Sequence, residues 1–368
     1  MSEYNWRKER EKFRPEITKN NCLETETVQV ENCEKNSSSA KIFGIIAAVA
    51  IVAVIVVAGI FIFKSGDASS KLVSVAEKYK TAVGLVTVTL ELKNGSKITE
   101  PVGTAWAFDE NRFATNGHVA NGLNGKVKDV IDATVAELLT VEAKKAGCQS
   151  IDEFLKKQGD NAQNVINAAV QMVVSQISNI RADIIINGTL KKSYSIAQVQ
   201  VHKDYGVEGS KFNPDLAVFT IDGKHDNYFK IADKSTLGDL KSGMPIAFLG
   251  FPMERLSDGN LHLDNPVASM QSGTVVAVSD FEMKDAGAEG NFLLRHNLPA
   301  TGGASGSPIF NQSGEVVAAL YGGNIIGQVA NNGQIVRAPS AVQINFGVRV
   351  DLLSGMGKAV PVKEFLKF

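Results

Sequence analysis

From Val83 onward the chain runs in short apolar stretches. Some alternate with period two and others are unbroken, and each is closed by glycine, asparagine or aspartate. VGLVTVTLEL (83–92) is followed by the turn KNGSK (93–97), then VGTAWAF (102–108) and RFATNGHV (112–119). The same signature returns in DIIINGTL (183–190), AQVQVHKDY (197–205), LAVFTID (216–222) and PIAFLGF (245–251). GTVVAVSD (273–280), GEVVAALYGG (314–323) and INFGVRV (344–350) complete the series. Such segments fit strands and leave no room for long helices, so the pattern predicts an antiparallel all-β domain.

The strand pattern is broken once. Residues 126–145 place Val127, Val130, Ile131, Val135, Leu138 and Leu139 at helical spacing. Ser150 and Glu153 form a capping box that opens a second short helix, and Gly159 stands where it would stop. Residues 164–180 continue with Ile166, Val170, Val173, Ile177 and Ile180 on one face. A helical insertion at about 122–181 is therefore expected, either as a hairpin packing its apolar face on the β domain or as a lid, docking arm or oligomer contact. Without it, roughly 220 residues of β-rich chain remain, enough for two small barrels.

Ahead of this domain, residues 42–63 contain only Ile, Phe, Gly, Ala and Val, between Lys41 and Lys64. At about 1.5 Å rise per residue the run spans roughly 33 Å and predicts one transmembrane helix. It follows a 41-residue polar tail and is too long for the apolar core of a signal peptide. The tail (1–41) is expected to be disordered and residues 64–71 to be a flexible linker, leaving 72–368 as the folded domain. Lys35 and Lys41 precede the apolar run while Lys64, Lys71, Lys78 and Lys80 follow it, so charge barely sets the orientation. A cytoplasmic tail with the folded domain outside is favoured because large domains cross largely regardless of charge.

Composition excludes several functions. The net charge of −1 and the sparse aromatics argue against a nucleic-acid partner. Cys22, Cys33 and Cys148 form neither a disulfide framework nor a metal-ligand set, so no metal and no cofactor are expected.

Three residues stand where nucleophilic chemistry would need them. TGGASGSP (301–308) flanks Ser305 with glycines, and tight backbone there lets the amides of Gly303 and Ser305 face an oxyanion. His118 ends a strand-and-turn segment, and Asp215 precedes an apolar strand in NPDLAVF (213–219). Taken singly, each also has an ordinary reading as a loop, surface or turn residue. Together they run His, Asp, Ser along the chain.

ATNGHV, PDLAVFTI and TGGASGSPIFNQSGEVVAALYGG resemble the corresponding motifs of bacterial trypsin-like serine proteases, the glutamyl endopeptidases and HtrA-like proteases among them. With NFGVRVDLL near the end, the resemblance covers about residues 72–353. It implies a double antiparallel β-barrel, with His118 as general base, Asp215 as its orienter and Ser305 as nucleophile. It also implies Gly303 and Ser305 as the oxyanion hole; the tail after the protease region is too short for the PDZ domain typical of HtrA proteins, so none is expected.

Pro299, Leu320, Tyr321, Gly322 and Gly323 fall at the family's substrate pocket, which then suits apolar or small side chains better than Lys, Arg or Glu. Ala304 replaces the aspartate that animal trypsins pair with a new N-terminus. His296, nine residues before Ser305, is read as a solvated loop histidine within reach of the pocket. The expected function is a membrane-anchored endopeptidase acting on extracytoplasmic proteins or peptides, periplasmic or extracellular. The alternative is a catalytically latent binding or sensing module on the same fold.

Overall fold

The computed structural model describes residues 68–252, 263–323, 325–329, 335–339 and 344–366. All lie within one compact unit, Phe61–Phe368. The expected tail, residues 42–63 and residues 64–67 of the expected linker fall outside the described residues, as do Cys22 and Cys33, while residues 68–71 of that linker are helical. Among the described residues no helix is long and apolar enough to cross a membrane.

Helix α1 (residues 68–79) leads into the first barrel. This barrel consists of β1 (Val83–Leu92), β2 (Lys97–Ala107), β3 (Arg112–Thr115), β4 (Ile177–Ile186), β5 (Ser193–Val201) and β6 (Ala217–Ile221). The spatial order β5-β4-β1-β2-β3-β6 closes on itself because β5 also pairs with β6. A short strand β7 (Lys230–Ile231) and a short helix (Lys234–Gly238) follow on the way to the second barrel.

The second barrel is built from β8 (Pro245–Gly250), β9 (Ser269–Ser279), β10 (Leu293–His296), β11 (Pro308–Phe310), β12 (Glu315–Gly323) and β15 (Asn345–Arg349). Its order β11-β8-β9-β10-β15-β12 closes through pairing of β11 with β12. A hairpin of β13 (Ile325–Val329) and β14 (Ile335–Pro339) is inserted between β12 and β15. The last strand, β16 (Val360–Pro361), returns to pair with β5 of the first barrel. Closure leaves each six-stranded ring without a free edge.

Between β3 and β4 lie α2 (Gly117–Lys145), α3 (Ile151–Gln158) and α4 (Ala162–Gln176), with α5 (Lys234–Gly238) and α6 (Val362–Phe365) later in the chain. The helical segment thus starts at Gly117, nine residues before the apolar rhythm that marks it in the sequence. The first two turns of α2 carry Gly117, His118, Asn121, Gly122 and Asn124, a composition that hides the helix. Val119, Leu123, Val127, Ile131, Val135, Leu139 and Ala143 recur every four residues on α2, and all are buried. That stripe explains β1, whose first eight residues are buried on both faces: one face lines the barrel and the other lies beneath α2.

The capping box at α3 forms on its Ser150 side. The Ser150 hydroxyl accepts the Glu153 amide (3.1 Å), while the Glu153 carboxylate accepts the Gln149 amide (2.8 Å) rather than that of Ser150. Gly159 ends the helix with φ 54°.

Aromatic rings bind the start of the domain to both barrels. Phe229, in the connection between barrels, stacks on Tyr79 of α1 (4.5 Å between centroids) and meets Trp106 edge-on at 6.1 Å. Phe310 of β11 stacks on the same ring at 5.7 Å. Trp106 is fully buried at the centre of this cluster. Trp106→Ala is expected to cost about 3–5 kcal/mol, read as a lower urea midpoint with little change in slope. A loss below about 1 kcal/mol would show that the ring is not part of a close-packed core.

Candidate active site

Asp215 lies at the mouth between the barrels, just before β6, and is 5% exposed. Leu216 beside it is fully buried in a small cluster with Ala319 of β12 and Val348 of β15, so this turn is gripped by the second barrel. Two groups approach its carboxylate from the first turn of α2. The His118 amide donates to Oδ1 (2.9 Å), and His118 Nδ1 lies 2.6 Å from Oδ2. A carboxylate only accepts, so this contact places the ring proton on Nδ1 and leaves Nε2 free to act as a base. Asn116 completes the grip, its Nδ2–H donating to the Asp215 carbonyl oxygen (2.8 Å).

Aromatic side chains wall this pair. Burial, with the Asp215 charge as a second cause, pushes the Tyr205 hydroxyl up to about 12 and also raises that of Tyr321. Both phenols therefore stay neutral and shield the carboxylate. The Tyr205 ring also packs against the Gly117 backbone, where a Cβ would strike it. Sequence reading did not single out Tyr205 or Asn116. Asn116 lay within the quoted ATNGHV motif, whereas Tyr205 carried no local signal.

Ser305 lies in the loop entering β11 and is half-buried. The loop is held by its own backbone: the Ala304 amide donates to the Thr301 carbonyl (3.1 Å), and the Ser307 amide and hydroxyl both donate to the Ala304 carbonyl (3.1 and 2.6 Å). Gly303 and Gly306 have φ of 88° and 86°, which L side chains rarely adopt. At Gly306 a Cβ would also collide with the Thr104 carbonyl and the Thr115 hydroxyl. Among the described residues, the amides of Gly303 and Ser305 donate to nothing in the chain, so both remain available to an oxyanion. No hydrogen bond joins the Ser305 hydroxyl to His118 Nε2.

The expected pocket residues separate. Pro299 and Gly323 are exposed, while Tyr321 and Gly322 are half-buried beyond the loop. Leu320 contributes only backbone. Its carbonyl accepts the Gly306 amide (2.8 Å) and its amide donates to the Ser307 carbonyl (2.9 Å), while its side chain packs in the second core.

His296 is not the solvated loop histidine expected from sequence. It ends β10, is fully buried, and its ring accepts the Leu298 amide (3.3 Å). LLRH was too short to read as a strand. Burial pulls its pKa from 6.5 down to about 4, so the folded protein holds it neutral. The unfolded chain takes up that proton below about pH 6.5 and the folded one only near pH 4. Stability is thus fully present above 6.5 and falls as pH drops through this window, by about 3 kcal/mol in all. Burial shifts His202 and His225 the same way. Urea midpoints measured from pH 7 to 4.5 should fall steeply, and His296→Phe should flatten the slope. An unchanged slope in that variant would remove His296 as a cause.

The family sequence model described as "Trypsin-like peptidase domain" matches residues 103–318, more than half of the chain. No curated protein sequence matches. Among solved structures, Deg5 is 12% identical with a TM-score of 0.39, over 78% of this chain and 91% of Deg5. The HtrA-type protease AlgW with decapeptide is 12% identical with a TM-score of 0.40, over 76% of this chain. The chain spans 63% of the length of that AlgW structure. The matched stretch runs from β2, through His118, Asp215 and Ser305, into β12, and the chain belongs to the trypsin-like peptidase domain family.

Proposed function

We propose that the protein is a serine endopeptidase anchored in a membrane through residues 42–63, with its protease domain outside the cytoplasm. His118 acts as general base, Asp215 as its orienter and Ser305 as nucleophile. The observation that carries this reading is the double contact of Asp215 with His118, on the ring at 2.6 Å and on the amide at 2.9 Å. It fixes both the tautomer and the direction of the imidazole, beside a loop whose Gly303 and Ser305 amides are unused.

In the proposed mechanism Nε2 takes the Ser305 proton as its oxygen attacks the peptide carbonyl, and the two amides bind the resulting oxyanion. The imidazolium then protonates the leaving amine, and water hydrolyses the acyl-enzyme by the reverse sequence. Exposed Pro299 with Tyr321 and Gly322 would form an uncharged rim for an apolar or small side chain.

The absent bond between Ser305 and His118 favours a second reading, a catalytically latent module. Catalytic bonds of this kind often tighten only when substrate is bound, which keeps the first reading ahead. A membrane-impermeant fluorophosphonate probe on intact and lysed cells tests activity and topology together. Equal labelling in both is expected, with none in Ser305→Ala. Labelling only after lysis would place the domain inside, and no labelling would leave the latent module.

A further inference from the structure

The nucleophile loop belongs to the second barrel, while His118 is reached from the first, so something must keep the two in register. One fully buried residue touches both sides. Thr104 of β2 donates its amide to the Ser305 carbonyl (2.9 Å) and its hydroxyl to the Gly303 carbonyl (3.0 Å). The same hydroxyl accepts the Phe251 amide at the end of β8 (3.1 Å). Its carbonyl accepts the Thr115 hydroxyl (2.7 Å), three residues before His118.

We propose that Thr104 is a positioning residue that sets the oxyanion hole, holding the peptides that follow Gly303 and Ser305 by their carbonyls so that the Ser305 amide between them faces the reacting carbonyl. The inference rests on the reading of Ser305 as nucleophile. Gly303 needs such a clamp because glycine at φ 88° has little intrinsic preference to stay there. Rotation about the backbone bonds of Gly303 and Ala304 would turn the Ser305 amide away. Two anchors one residue apart on the loop, both on Thr104, remove that freedom. The hydroxyl is essential to the second anchor, because only a group that donates and accepts serves Gly303 and Phe251 at once. The β-branched side chain also restricts χ1, so the hydroxyl is held on target without a further partner.

The test uses full-length protein and the inactivation kinetics of a fluorophosphonate probe, whose phosphonyl oxygen gains charge as Ser305 attacks. Thr104→Val keeps shape and amide but loses the hydroxyl. Its maximal inactivation rate should fall by about 10- to 100-fold while the concentration for half-maximal rate changes by less than about 2-fold. Thr104→Ser should recover most of the loss. A purely structural role would instead lower the fraction of protein that reacts and leave the rate of the remainder unchanged. If the valine variant does not melt cooperatively, Thr104→Ala takes its place, and the same rate loss is required of it.

A rate in the folded hydroxyl-less variant within about 2-fold of wild type overturns the clamp alone, as does a serine variant as slow as the valine one. Wild type that labels no better than Ser305→Ala overturns the nucleophile reading and the clamp with it.

Discussion

Ser305→Ala is expected to lower kcat by about 10⁶-fold while leaving the thermal transition within a degree or two of wild type. In the proposed mechanism the hydroxyl is the attacking atom, and alanine offers nothing for His118 to activate. Its removal should scarcely affect the fold, because what ties Ser305 into the structure is its carbonyl, bonded to the Thr104 amide at 2.9 Å. Ala304 beside it is fully buried and Gly306 is bonded to Leu320, so the loop stays in place without the hydroxyl. Any residual turnover would come from the oxyanion amides and substrate binding acting on water. Retention of more than about 1% activity would mean that another residue is the nucleophile. His118→Ala should fall as far, and the double variant no further, because the two act as one unit.

Asp215→Asn is expected to reduce kcat by about 10⁴-fold. The carboxylate holds His118 at two points, and an amide reproduces only one of them. If the asparagine oxygen keeps the backbone amide of His118, its NH₂ faces Nδ1. That forces the ring proton onto Nε2, the nitrogen that must be bare to accept the proton of Ser305. If the amide flips, the backbone contact is lost instead.

The loss should appear in kcat with KM nearly unchanged, because Asp215 acts through His118 rather than on the substrate. A decrease below about 10-fold would show that the 2.6 Å contact is not what orients the base.

Much of the fold was legible because closed barrels demand it. Strands such as Val83–Leu92 and Pro245–Gly250 are long enough, and apolar enough, to declare themselves by local pattern. LLRH, PIF and the two-residue strands β7 and β16 were not. Runs of two to four residues show no period, and they are strands only because neighbouring strands supply hydrogen bonds. The start of α2 was hidden for the opposite reason. Glycine and asparagine at its first turns disfavour helix locally, and the buried stripe from Val119 to Ala143 overrides them. His296 was misplaced on the same ground, since burial comes from the strands around β10.

By itself the sequence determined the chain order of His118, Asp215 and Ser305, the glycines that permit the turn around the serine, and the every-fourth-residue stripe of the helical insertion. Those are properties of near neighbours along the chain, where composition and spacing act directly. Only the tertiary structure decided that Asp215 meets His118 through ring and backbone together, that the Tyr205 ring packs on the Gly117 backbone beside them, and that Thr104 joins the two barrels behind the loop. The Asp215–His118 and Thr104–Gly303 contacts link residues 97 and 199 positions apart. Their geometry depends on how two closed sheets pack, and no local propensity encodes that.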